Sequence, residues 1–441
     1  MSVFDLTAQS GRSTIVAGGK TKTWGINGPI LGPTLRARRG EAVRIDFRNT
    51  LDEATTLHWH GMHLPAKADG GPHQMIAPGK TWHPEWVVNQ PAATLWYHPH
   101  PHGKTERHVY RGLGGMFILD DDQDAALSLP RDYGVNDIPL IVQDKTFDSG
   151  GQLVETSRRD NGMIGDTILV NGTAAPYLDI TAELTRLRVL NASTARSYNF
   201  GFSDDRTFAI IGTDGGLLST PVEATRTLLT PGERIEIVIR MRPSETVRLR
   251  SYPQDLGLWG ARPQTSGAND TADIIELRAA ATLTPSPNLP GRLNEIERLT
   301  TDLAATTRTF DLNNNRINGQ AMDMARIDET VTVDTTETWE VWNSDEQAHN
   351  FHVHDVQFQI LDIDGTPPPP ELAGWKDTVY IPPGSGVTLI MRFTEYTDPT
   401  TPYMYHCHML WHEDQGMMGQ FLILRPGQEP AYQPPTNEHH H

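Results

Sequence analysis

The chain has 441 residues, 55 acidic against 37 basic side chains for a formal net charge of −18, and 37% hydrophobic residues. This surplus of acids excludes a phosphate backbone as partner, because nucleic-acid binding leans on clustered Lys and Arg, and no apolar run reaches the roughly 18 residues of a membrane-spanning helix. With a single cysteine, Cys407, no disulfide forms within the chain.

The opening stretch "MSVFDLTAQS" lacks a basic region followed by an apolar one, so it carries no export signal. A β-rich run, "VRIDFRNTLDEATTLHWHG" (43–61), brings in His58 and His60, and "APGKTWHPEWVV" leads on to "LWYHPH" with His98 and His100. Composition turns acidic near 122–135. The first run then recurs as "TRLRVLNASTARSYNFGF" (185–202), and the second as "TPGERIEIVIRM", but without any histidine. After a Pro-bearing linker near 279–300, both recur again, as "ETWEVWNSDEQAHNFHVHD" (337–355) and "PPGSGVTLIMRF", followed by "MYHCHMLWHEDQGMM" (404–418). His439, His440 and His441 read as a purification tag and are set aside.

Each copy is a β-rich run, an Asn turn and a further strand, with Gly and Pro turns between strands and no long amphipathic helices. The fold predicted is therefore all-β: three consecutive antiparallel sandwiches over 1–128, 129–288 and 289–441, with few and short helices. Three domains suffice to build the sites within one chain, so no oligomer is required.

Nine histidines fall between His58 and His108 and six between His349 and His412, with none in 109–348. The first and last thirds are thus expected to meet at one site, the middle third serving as scaffold. Four pairs have the form His-x-His: His58/His60, His98/His100, His352/His354 and His406/His408. Residues i and i+2 of a strand share a face, so eight imidazoles converge, more than the four ligands one zinc takes. A multi-metal cluster fits better. The same alternation turns Cys407 away from His406 and His408 toward a second site. There His349, His412 and Met417 complete the two imidazoles, thiolate and weak axial thioether of a blue-copper centre.

These motifs, "HWHG", "WYHPH", "HNFHVH" and "HCHMLWHEDQGMM", resemble in order and spacing those of the three-domain multicopper oxidases, which include bacterial laccases, copper-efflux oxidases and bilirubin oxidases. The resemblance covers nearly the whole chain and implies cupredoxin-like Greek-key sandwiches and four copper ions. It implies a type 1 copper on His349, Cys407, His412 and axial Met417, and a type 2 copper on His58 and His352. One type 3 copper is implied on His60, His98 and His408, and the other on His100, His354 and His406. Asn350 and Asp355 depart from the Pro and Gly frequent in the family, at positions that are not ligands. The implied reaction is one-electron oxidation of small phenolic or diamine donors at the type 1 copper, coupled to four-electron reduction of dioxygen to water at the trinuclear cluster. A periplasmic or extracellular location is the family expectation.

Dioxygen reduction consumes protons, and the resemblance implies that Asp69 in "ADGGP" and Glu413 supply them; otherwise Asp69 starts a glycine turn and Glu413 is a solvated loop acid. His63, His73, His83, His102 and His108 read as structural imidazoles, with His102 and His108 also candidates to orient ligating rings. Trp375 and Trp411 read as packing. Two alternatives stay open. A cuprous oxidase for copper tolerance would use thioethers, yet the thirteen methionines are dispersed in the sequence, Met322, Met324, Met409 and Met418 among them, and Gln347 offers none beside Asp345. A non-catalytic copper-binding scaffold is the other, as in cell-division relatives that have lost ligands; here every ligand position is filled.

Overall fold

In the computed structural model, residues 1–157, 161–260 and 262–434 are described; the three terminal histidines lie outside them. Each third of the chain opens with a strand lying parallel to a later one: Ser2–Ser13 beside Ala42–Asn49, Asp137–Lys145 beside Leu184–Asn191, and Ala304–Asn313 beside Thr335–Asn343. A second parallel pair recurs in the partner sheet: Leu35–Arg38 with Gly115–Asp120, Tyr177–Ala182 with Ala272–Thr284, and Glu329–Thr332 with Met418–Leu424. The remaining ladders between the named strands are antiparallel. Each sheet thus holds one parallel pair where wholly antiparallel sheets were expected. A parallel neighbour needs a crossover rather than a hairpin, and here the chain crosses between the two sheets.

Six sheets result, two in each third, packed as cupredoxin-like sandwiches. Alternate residues of facing strands fill three separate cores, around Phe47, Trp59 and Phe117, around Leu187, Phe200 and Ile237, and around Trp339, Phe351 and Phe421. The longest helix among the described residues is the seven-residue Thr105–Arg111, closed by Gly112 at φ 117. Among the described residues no helix is long and apolar enough to cross a membrane.

The Asn turn has one structure in all three copies. Asn49, Asn191 and Asn343 are fully buried, and each amide Nδ2 donates to two backbone carbonyls: Glu53 and Ile76, Arg196 and Leu229, Gln347 and Ile381. Each Oδ1 accepts the backbone N–H two residues on, at 3.0 Å. A short polar side chain bonding its own backbone locks such a turn. In the outer copies this turn aims the following strand, which carries the histidines.

The first and middle sandwiches share a charged, buried seam. Along Leu184–Asn191, Leu187 and Val189 face the core. Arg186 and Arg188, on the other face, pair with Glu236, Asp124 and Asp137, and Thr94 of the first sandwich donates to Glu236 at 2.6 Å. Such buried charges persist only when paired and hydrogen-bonded.

Candidate metal centre

Strand His58–His60 pairs with Ala93–His98, placing His58 opposite His98. In the third sandwich, His352 of His349–Val353 lies opposite His406 of Tyr403–His406. Three of the four His-x-His pairs straddle a strand end, since His100, His354 and His408 lie just past theirs. The rings of each pair nonetheless converge, with centroids 6.0, 6.0, 5.2 and 5.5 Å apart in chain order.

All eight rings are buried in one basin between the first and third sandwiches. His406 Nε2 lies 3.0 Å from His100 Nε2 and 3.2 Å from His354 Nε2. Across the basin, His98 Nε2 is 3.4 Å from His408 Nε2, and the His60 ring centroid is 4.8 Å from that of His408. His58 and His352 sit between these trios, each stacked on one of their rings, His58 on His354 and His352 on His60.

Hydrogen bonds to one nitrogen of a ring leave the other turned inward. His58, His98, His352 and His406 donate from Nδ1 to the carbonyls of Asp69, Pro99, Asp377 and Cys407. His354 Nδ1 donates to Asp69 Oδ2 at 2.8 Å. His60 is reversed: its Nε2 donates to Asp377 Oδ1 at 2.9 Å. The inward atoms His58 Nε2, His60 Nδ1 and His352 Nε2 are buried without a hydrogen-bond partner among the described residues. Burial, reinforced by the neighbouring rings, holds His60, His98, His100, His352, His354 and His408 well below the ordinary histidine range, and burial takes His406 down to about 3. Neutral rings with unpartnered nitrogens aimed at one another are metal donors, since an imidazole must be unprotonated to ligate.

Cys407 points the other way. Its Sγ lies 3.6 Å from His349 Nδ1 and 3.5 Å from His412 Nδ1, and those two nitrogens are 3.0 Å apart. Met417 is fully buried in the same core as Cys407 and accepts its backbone N–H at 3.1 Å. Burial pushes the thiol up to about 12, so a thiolate forms there only when a metal cation takes the proton's place. Outside the trio, His349 Nε2 donates to Asp345 Oδ2 at 3.3 Å and His412 Nε2 to Gln347 Oε1 at 3.1 Å. A crevice lined by Leu256, Leu258, Ala348 and Met409 reaches His412.

Both acids singled out in the sequence reach the basin. Asp69 holds His58 through its carbonyl and His354 through its carboxylate. Glu413 is buried, with its two oxygens 3.4 Å from His100 Nδ1 and 3.3 Å from His406 Nδ1. Burial, with Asp414 adding repulsion, holds Glu413 well above the usual carboxyl range; it is not a solvated loop acid.

The other histidines stay apart. His63 pairs with Asp355 at 2.9 Å, His73 with Gln420 at 2.7 Å and the half-exposed His83 with Asp46 at 2.5 Å. His108 bonds Thr55 Oγ1 at 3.0 Å and lies edge-on to Trp24, and His102 is exposed. Asp355, which departs from the family's Gly, keeps the left-handed backbone at φ 69 while its carboxylate accepts the Leu64 N–H. The methionines are less dispersed than their sequence spacing: Met322, Met404 and Met418 pack as one buried patch with Met324 against it. Missing from the sequence reading is Asp377, two residues after Trp375 in "GWKDTV"; a buried acid beside Lys376 has no periodic signature.

Residues 7–124 and 295–426 each match a family model described as multicopper oxidase. Over 425 residues the chain is 37% identical to the multicopper oxidase mco of Staphylococcus haemolyticus, covering 95% of this chain and 88% of that one. The chain belongs to the multicopper oxidases. It is also similar to the cell division protein FtsP of Escherichia coli, 34% identical over 425 residues, with 95% and 89% covered. Among solved structures, a laccase from Pediococcus acidilactici superposes with a TM-score of 0.87 at 36% identity, covering 96% of this chain and 89% of that one. The laccase-like multi-copper oxidase CueO of Ochrobactrum sp., described as active towards lignin model compounds and lignosulfonate, does so at 0.88 and 34%, covering 96% and 97%. As a multicopper oxidase, the chain is a laccase-like oxidoreductase whose clusters suit one type 1 and one trinuclear copper site.

Proposed function

We propose that His349, Cys407 and His412, with Met417 axial, hold the type 1 copper, and that the basin holds the other three. In this reading the type 2 copper takes His58 and His352, and the type 3 pair takes His60, His98 and His408 on one side and His100, His354 and His406 on the other. The division into 1–128, 129–288 and 289–441 belongs to the same reading and is supported by the three separate cores. One observation carries it: Cys407 lies in the small site while the residues on either side of it, His406 and His408, face the basin.

When bound, copper supplies one-electron acceptance at the first site and four-electron reduction of dioxygen to water at the second. The protein does the rest. The crevice lined by Leu256, Leu258, Ala348 and Met409 marks where the surface comes nearest His412, and we assign phenols and aromatic diamines as the donors that meet the protein there. The Cys407 backbone joins the sites covalently through His406 and His408. Glu413, buried between His100 and His406, holds a proton for the basin. Asp69 orients His58 and His354 and keeps a second carboxylate there.

Periplasmic or extracellular work is part of this proposal. The test is oxygen uptake by copper-loaded protein with a phenolic and a diamine donor, with and without added cupric ion, and with peroxide assayed. Uptake without peroxide is expected. Activity only toward cuprous ion would replace the donor class. Four bound coppers with no uptake would favour a scaffold, the reading that similarity to cell-division relatives keeps in view.

A further inference from the structure

The middle sandwich supplies no ring to either cluster, yet one of its turns, residues 230–234, reaches the basin. The turn is the middle copy of a repeated Pro-Gly corner whose other glycines are Gly79 and Gly384. All three have left-handed backbone, at φ 75, 90 and 70 for Gly79, Gly232 and Gly384. Around the outer two, a Cβ would meet nothing within 4 Å. At Gly232 it would lie 2.9 Å from His408 Nδ1 and 3.0 Å from its Cγ. The middle corner is therefore seated against a ligand ring.

Its neighbours extend the contact. Asn350, the residue that departs from the family's Pro, donates from Nδ2 to Thr230 Oγ1 at 3.1 Å and to the Pro231 carbonyl at 2.8 Å. Thus fixed, its Oδ1 accepts the backbone N–H of His408 at 2.6 Å and lies 3.6 Å from Cys407 Sγ. Arg234 is fully buried and grips Asp377 with two parallel bonds of 2.8 and 2.6 Å, while its Nε donates to the Thr94 carbonyl of the first sandwich. Asp377 in turn takes Nε2 of His60 and, by its carbonyl, Nδ1 of His352. Fork-shaped guanidinium binding fixes both the place and the plane of a carboxylate. Gly61, at φ 84, leaves room for this: a Cβ would lie 2.5 Å from Asp377 Oδ2 and 2.7 Å from Arg234 Nη2.

We infer that residues 230–234 of the middle sandwich are a positioning element for the trinuclear site: Arg234, through Asp377, turns Nδ1 of His60 inward, and Gly232 with the Asn350 anchor sets His408. This rests on the trinuclear reading above. None of these groups is a ligand, so the effect is on where rings stand rather than on which rings are present, and outer-shell changes of this kind typically lower metal affinity about 10- to 100-fold.

The experiment compares copper-loaded wild type, Gly232→Ala, Arg234→Lys and, as the matched strain control, Gly79→Ala. Copper per chain, the near-ultraviolet absorption of the coupled pair, the paramagnetic resonance spectrum and the visible blue band are read. Gly79→Ala should match wild type. Gly232→Ala and Arg234→Lys should keep the blue band while copper affinity at the coupled pair falls about tenfold or more and a new paramagnetic signal appears. Wild-type spectra and copper content in both folded variants would overturn the inference. If Gly232→Ala does not fold, Arg234→Lys decides alone, since it retains the charge facing Asp377. If neither folds, the ring-nitrogen shifts of His60 in copper-free wild type decide, an Nδ1–H tautomer overturning it. A wild-type chain that lacks coupled-pair absorption would instead overturn the trinuclear reading itself.

Discussion

Cys407 Sγ and His412 Nδ1, five residues apart in the chain, stand 3.5 Å apart across the turn that carries Met409 into the short helix Leu410–Asp414. Both groups are buried. Cys407→Ser keeps the shape and removes the thiolate. Copper-loaded Cys407→Ser should lose the intense visible band and one copper per chain, while the basin histidines still load their metals. A variant that stays blue would remove the type 1 assignment.

Glu413 and Asp69 differ in what they hold. Glu413 stands 3.3 to 3.4 Å from two rings, whereas Asp69 accepts from His354 at 2.8 Å. Glu413→Gln preserves volume but cannot release a proton, so turnover should fall about 100-fold with the blue band retained. Asp69→Asn should slow turnover and also disturb the paramagnetic signals, because its carboxylate orients a ligand. Undiminished oxygen uptake by Glu413→Gln would dismiss the proton role.

Much of this site was legible because its chemistry is written in pairs. His-x-His spacing survives the end of a strand, which is why His100, His354 and His408 join the basin although the regular ladder has stopped before them. The Asn turn was equally visible, since Asn49, Asn191 and Asn343 bond mainly to local backbone. What stayed hidden was set by long-range packing. Asp377 and Arg234 are 143 residues apart and pair only once the middle and third sandwiches have docked. Met322, Met404 and Met418 likewise become neighbours through strand pairing and a loop, not through spacing.

Asn343→Ala isolates the repeated turn from the metals. Removing the amide strands the buried carbonyl of Ile381 and leaves the part-buried Gln347 carbonyl and Asp345 N–H without it. A buried unsatisfied group costs about 1–3 kcal/mol, so the copper-free variant should lose about 1–3 kcal/mol of unfolding free energy in urea. Asn343→Asp, which keeps the acceptor and loses the donors, should fall between the two. A loss no larger than that of an exposed Asn→Ala substitution would refute the shared role of the turn.

The seam between the first and middle sandwiches gives a pH signature of its own. Burial disfavours the charge on Glu236, but Arg186 and Arg188 outweigh it and bring the carboxyl down to about 2. A carboxylate whose folded pKa is depressed stabilises the native state fully above its unfolded pKa, and this contribution drains away as pH falls toward the folded value. The window therefore runs from the ordinary glutamate range near 4.3 down to about 2, and the stability at stake is on the order of 3 kcal/mol. Glu236→Gln is the permanently neutral reference. In urea unfolding of the copper-free protein, wild type should exceed Glu236→Gln most above pH 5, and the gap should close steadily toward pH 2 because wild type then carries the neutral form as well. A gap of constant size across that range would mean that the ion pairs with Arg186 and Arg188 contribute nothing to holding the two sandwiches together.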